Sequence, residues 1–75
     1  MKTLKIKTDY ITLSQFLKIL NFISSGGEAK YYLMEHTPLI NNEPDNRRGK
    51  KLYPDDIVNI EGKEFKIIKW SIQLN

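Results

Sequence analysis

The sequence predicts an α+β fold, two short helices packed on a small, mainly antiparallel sheet. Three observations carry this. Apolar residues alternate with polar ones near the amino terminus. They then recur at helical spacing through two stretches between Leu13 and His36, and the second half returns to short apolar runs separated by turn residues. At 75 residues there is room for one domain and one modest core.

Leu4 and Ile6 alternate with Lys5 and Lys7, the pattern of a strand with one buried face. From Thr12 the period changes. Leu13, Phe16, Leu17 and Leu20 fall on one helical stripe, with Lys18 on the outer face. Thr12 followed by Gln15 has the form of a capping box, which starts the helix there, and the segment from Asn21 to Ser25 ends it. Ser25, Gly26, Gly27 and Glu28 offer a second capping box. Ala29, Tyr32, Leu33 and His36 then give the second helix its stripe.

Leu39 and Ile40 lead into a turn at Asn41 to Pro44, whose asparagines tolerate the left-handed backbone of a tight hairpin. Leu52 to Asp56 reads as another turn, Ile57 to Ile60 as a strand, and Glu61 with Gly62 as a hairpin connection into a strand through Phe65 and Ile67. The alternation slips near Ile67 and Ile68. A bulge there, or a strand covered on both faces, accounts for the slip. Trp70, Ile72 and Leu74 share a face of the last segment. They either complete the core as an added strand or form an apolar edge through which a homodimer or another protein pairs.

Composition narrows the function classes. Cysteine is absent, which excludes thiol catalysis, thiolate metal sites and disulfides and accords with a reducing compartment. Residues 1–7 lack a signal-like apolar core, and no apolar run approaches membrane-spanning length, so a soluble, cytoplasmic protein is expected. The single histidine, His36, ends a helix, where its imidazole can face the last carbonyls. Asp55 and Asp56 sit in a turn without His or Cys beside them. No metal, cofactor or catalytic site is therefore expected.

Charge carries the positive signal. Arg47, Arg48, Gly49, Lys50 and Lys51 put four cations into five residues of a chain whose formal net charge is only +3. Confined to about 17 Å of extended chain, they repel one another. Either they form a solvated turn or they face a polyanion. Gly26 and Gly27 similarly either permit a sharp link between helices or expose backbone amides to a phosphate, with Lys30 adding charge.

The order of residues also resembles a family. Leu13 to Leu17, Ser25, Ala29, Lys30, Leu33, Ile40, Asn41, Leu52, Pro54, Asp56, Ile57 and Ile60 together resemble the RNA-binding domain named after small-subunit ribosomal protein S-four, over about Thr12 to Ile60. The Ser-Gly-Gly-Glu-Ala-Lys string from Ser25 and the segment from Arg47 to Pro54 are similar to the small stand-alone bacterial members of YaaA type. The resemblance implies the alpha-L fold and non-catalytic binding of structured RNA, with the ribosome or another folded RNA as partner and DNA the weaker candidate. It further implies a face built from Arg47, Arg48, Lys50 and Lys51 together with Lys30, Gly26, Gly27, Ser25 and Lys18. The chain departs from the family pattern where Thr12 and Gly26 replace common arginines, and where Asn42 and Asp55 replace common glycines. Those two missing arginines shift the expected RNA contacts toward Lys30 and the basic run.

Overall fold

A computed structural model describes residues 1–70. In chain order the elements are β1 (Lys2–Ile6), β2 (Ile11–Thr12), α1 (Leu13–Ile19), a 3-10 turn (Gly26–Glu28), α2 (Ala29–Glu35), β3 (Leu39–Ile40), β4 (Glu43–Pro44), β5 (Lys51–Leu52), β6 (Ile57–Ile60) and β7 (Lys63–Lys69). Five strands form one sheet in the order β1-β7-β6-β3-β4, while β2 and β5 pair as a separate two-stranded ribbon. All pairs are antiparallel except β1 with β7, which run parallel from Lys2 opposite Phe65 to Ile6 opposite Lys69. The expected α+β architecture, two short helices on a mainly antiparallel sheet, is therefore present.

The first capping box forms as the sequence predicts. Thr12 Oγ1 accepts from the Gln15 amide at 3.2 Å and Gln15 Oε1 accepts from the Thr12 amide at 2.8 Å, satisfying two donors that open a helix. Leu13, Phe16 and Leu17 are completely buried. The Phe16 ring meets Phe65 edge-on at 5.5 Å, joining helix to sheet.

The second capping box does not form. The Ser25 side chain makes no capping bond. The physical reason is local: the Glu28 amide, which the Ser25 hydroxyl would have capped, is bonded to the Ser25 carbonyl at 3.1 Å in the 3-10 turn. Glu28 reaches back one residue further, its Oε2 accepting from the Ser24 amide at 3.4 Å. Ala29 and Leu33 nevertheless bury the inner face of α2 as their spacing predicts.

Three turns set the register of the sheet. Asn41 and Asn42, with φ of 52° and 71°, link β3 to β4, and Glu61 and Gly62, at 49° and 77°, link β6 to β7. Consecutive left-handed residues match the twist of two-residue hairpins. Glu43 and Pro44, expected within the turn, instead form the edge strand β4, where a proline leaves no ladder donor unmet. Leu52, also expected in a turn, is a buried strand residue.

The third turn, at Asp55, makes a bulge opposite Ile67, so the extra residue belongs to the facing segment. The Asp55 amide donates to the Ile67 carbonyl at 2.7 Å and the Ile67 amide to the Asp56 carbonyl at 2.9 Å, so two residues oppose one. Asp55, at φ 77°, supplies the left-handed position that such a bulge requires. Phe65 and Ile67 accordingly face the core, whereas Ile68 is only half-buried on the other side. The Trp70 amide extends the parallel ladder by donating to the Ile6 carbonyl at 2.7 Å, and the Lys7 ammonium lies 5.1 Å from the Trp70 ring centre. Ile72 and Leu74, named with Trp70 as an edge, lie outside the described residues.

Candidate nucleic-acid interface

The basic run is fastened to the first turn of α1 by its own backbone. A helix opens with amides that have no partner inside it. Here the Leu13 amide donates to the Lys50 carbonyl at 2.8 Å and the Ser14 amide to the Arg48 carbonyl at 2.9 Å. The run closes on itself through the Lys50 amide and the Arg47 carbonyl at 3.0 Å, then enters β5, where Lys51 pairs with Thr12. Two of its carbonyls, those of Arg48 and Lys50, are thus committed to the helix. Arg47, Arg48 and Lys51 are exposed, and Lys50 is half-buried.

Among the described residues, one of the four cations has an acidic partner. Arg47 clamps Asp45, with Nη2 at 2.7 Å from Oδ2 and Nε at 3.0 Å from Oδ1, and the Arg47 backbone amide donates to the same carboxylate at 3.0 Å. The side-chain bond from Arg47 outweighs the effect of partial burial and holds the Asp45 carboxyl well below its usual range, at about 2; the nearby charges of Arg47 and Lys50 act in the same direction. Among the described residues, Arg48, Lys50 and Lys51 make no ion pair.

The 3-10 turn comes to the same neighbourhood. A Cβ added to Gly26 would meet Ser14 Oγ at 3.8 Å, and the Ser14 amide holds the Arg48 carbonyl, so a single residue separates Gly26 from the basic run. Ser25, Gly26 and Gly27 are all exposed. The Glu28 carboxylate at this turn weakens it as an anion site on its own. Lys18 lies one helical turn beyond Ser14 and lines a different, apolar cleft with Tyr10, Gln15 and Ile19. Lys30 is exposed in the first turn of α2 and makes no ion pair among the described residues.

Sequence reasoning missed two aromatics and the acid. Tyr10 and Tyr53 stand with ring centres 5.7 Å apart, and the Lys51 ammonium lies 4.9 Å from the Tyr10 ring centre. Tyr53 follows the basic run after one residue and was legible as an aromatic beside cations. Tyr10 reaches it only through the pairing of β2 with β5. Asp45 stands two residues before Arg47, a spacing at which an ion pair was open to inference.

Asn41 explains one feature of the pattern. Its Oδ1 accepts from the Ile57 amide at 2.9 Å and its Nδ2 donates to Asp56 Oδ1 at 3.0 Å, while Asp56 Oδ2 accepts from the Tyr53 amide at 2.8 Å. The hairpin turn is thereby locked to the turn that follows the basic run.

Comparison with known proteins bears on the chain as a whole. A family model described as S4 domain matches residues 4–68, from within β1 to within β7 and beyond the stretch that carried the resemblance. The chain is 59% identical over 59 residues to the "Probable ribosome maturation protein RlbA" of Bacillus subtilis (strain 168), an alignment covering 79% of this chain and 83% of that protein. No solved structure gives a significant match.

Proposed function

The chain belongs to the S4 domain family, and from that premise we propose that it binds structured RNA, without catalysing a reaction, through the face centred on the Arg47 to Lys51 run. The observation that carries this reading is the fastening of the Arg48 and Lys50 carbonyls to the α1 amides at 2.9 and 2.8 Å. It holds mutually repelling cations in a fixed array, and such an array gains its energy from an external polyanion. Arg48 engages a phosphate through its planar fork, Lys50 and Lys51 act as point charges, and Arg47 contributes what its bond to Asp45 leaves. Ser25, Gly26 and Gly27 border this face, with Lys30 and Lys18 as its outer charges.

The relative named for ribosome maturation supports ribosomal RNA as the first partner to test. Such a partner would locate the protein in the cytoplasm. The test is a salt series of affinity for folded ribosomal RNA fragments and for matched duplex DNA, with the chain and with Arg48, Lys50 and Lys51 replaced by Ala. Each phosphate that is no longer neutralised lowers the slope of log affinity against log salt by about 0.7–0.9. An unchanged slope and affinity would dismiss the run as the binding face.

A further inference from the structure

Beside the cations lies a surface suited to a base rather than a phosphate. Tyr53 is 47% exposed and, with Arg47, Gly49, Lys50 and Lys51, walls a cleft open to solvent. Above Gly49 the cleft is empty, since a Cβ built there meets nothing within 4 Å. The ring is braced from behind by Tyr10, tilted by 49°. Its backbone is fixed at both ends: the Tyr53 amide donates to Asp56 Oδ2 at 2.8 Å and its carbonyl accepts from the Asp56 amide at 3.0 Å, with Pro54 next in the chain. With its backbone fixed and its ring against Tyr10, the side chain has given up part of the freedom that stacking would cost it.

A uniform duplex has no use for such a ring. RNA bases inside an A-form helix are stacked on one another, and an aromatic side chain reaches only those that are looped or bulged out. Basic grooves with an adjoining aromatic are how single-stranded nucleotides are bound, cation to phosphate and ring to base. We propose that Tyr53, braced by Tyr10, stacks on an unpaired base whose flanking phosphates lie on the basic run. The RNA selected is then a stem interrupted by a bulged or looped-out nucleotide. This rests on the RNA-binding reading and goes beyond it by assigning the class of RNA and the residue that selects it.

The experiment compares two short RNA stems, one fully paired and one carrying a single bulged 2-aminopurine. The unaltered chain is expected to quench the 2-aminopurine fluorescence and to prefer the bulged stem. Tyr53→Leu should abolish the quench and weaken binding to the bulged stem about ten- to a hundredfold, while leaving the paired stem as before. Tyr53→Phe, which keeps the ring, should retain both. Equal affinity of the unaltered chain for the two stems without quenching overturns the platform, while loss of paired-stem binding on removing Arg48, Lys50 and Lys51 would leave the RNA-binding reading in place. Failure to bind either stem, or any folded RNA fragment, overturns both. Unaltered binding and quenching by Tyr53→Leu would likewise exclude Tyr53 as the stacking residue.

Discussion

Replacing Asp45 by Asn measures how many of the four loop cations are available to a polyanion. At neutral pH the carboxylate is ionised, as an aspartate ordinarily is, and Arg47 holds its pKa lower still, at about 2. The five-residue run and its acid therefore carry four positive charges and one negative. Asn keeps an oxygen to accept the Arg47 backbone amide but removes the charge and half of the clamp on the guanidinium. A phosphate on the far side of Arg47 would sit roughly 7 Å from the Asp45 carboxylate, where a unit charge in a water-like dielectric changes affinity about threefold. Asp45→Asn should accordingly tighten RNA binding by up to about threefold at low salt and by less near physiological salt, where screening weakens the term, and steepen the salt slope by up to about 0.9 as Arg47 acquires a phosphate of its own. Arg47→Ala should cost less slope than Arg48→Ala, which removes a cation that has no acidic partner among the described residues. Fluorescence anisotropy over a salt series, with all three variants, reads each quantity. An Asp45→Asn chain that binds no tighter, or an Arg47→Ala loss equal to that of Arg48→Ala, would refute the claim that Asp45 masks Arg47. Stability should follow the acid as well. Since the folded carboxyl is depressed, its contribution is present above the ordinary carboxylate range and is lost as pH falls toward about 2, so the difference between the two chains should vanish over that interval.

Three further outcomes are expected. Thr12→Ala removes the side-chain arm of the capping box and should cost about 1 kcal/mol, lowering Tm by about 4–8 °C for a domain of this size; Thr12→Ser should recover most of it, and an unchanged Tm would mean the cap adds nothing. Asn41→Ala removes two side-chain bonds and places a Cβ-bearing residue without a local partner at φ 52°, which should destabilise by about 1–3 kcal/mol in denaturant titration; an effect no larger than for an ordinary surface substitution would remove Asn41 from its bracing role. Tyr32 donates its hydroxyl to the Glu61 carboxylate, and burial first, then that bond and its charge, push its phenol well above the usual value of 10.0. The stability this contributes is present below about pH 10 and lost at higher pH. In a spectrophotometric titration one of the four tyrosines should ionise after the rest and disappear in Tyr32→Phe; four tyrosines titrating together would contradict it.

What was legible in the sequence was what is local. The α1 helix was readable because Thr12, Gln15 and the stripe from Leu13 lie within two turns of one another. The Ser25 box had the same form and failed because the 3-10 turn gave the Glu28 amide to a carbonyl instead, a choice made by backbone geometry. The slip in alternation at Ile67 was visible, whereas the residue responsible stood across the ladder at Asp55. Pairings between distant segments left no trace. Nothing in Lys2 to Ile6 declares a parallel partner near the other end of the chain, and the two-residue strands β2 and β5 are too short for any period. For the site, the run of charge was plain and the Asp45–Arg47 pair lay within reach of inference, but the attachment of the run to α1 and the nearness of Tyr10 are products of the fold.

The attachment also bears on the two positions, Thr12 and Gly26, where the resemblance leads one to expect arginine. Thr12 is committed to the capping box and sits opposite Lys51 in the ribbon register. Gly26 packs beside Ser14, whose amide holds Arg48. Each position thus lies close to the backbone of the basic run, Thr12 opposite Lys51 and Gly26 one residue from the Arg48 carbonyl. Gly26 has no left-handed backbone, and a Cβ there makes only ordinary contact with Ser14 Oγ, so an arginine is sterically admissible. In a chain lacking Arg48, Gly26→Arg should therefore supply a phosphate partner in its place and return about 0.7–0.9 to the salt slope, while Thr3→Arg, which adds the same charge on the edge strand β1, should not. Failure of Gly26→Arg to rescue, in a variant whose Tm matches its parent, would mean that the turn and the basic run face different parts of the RNA.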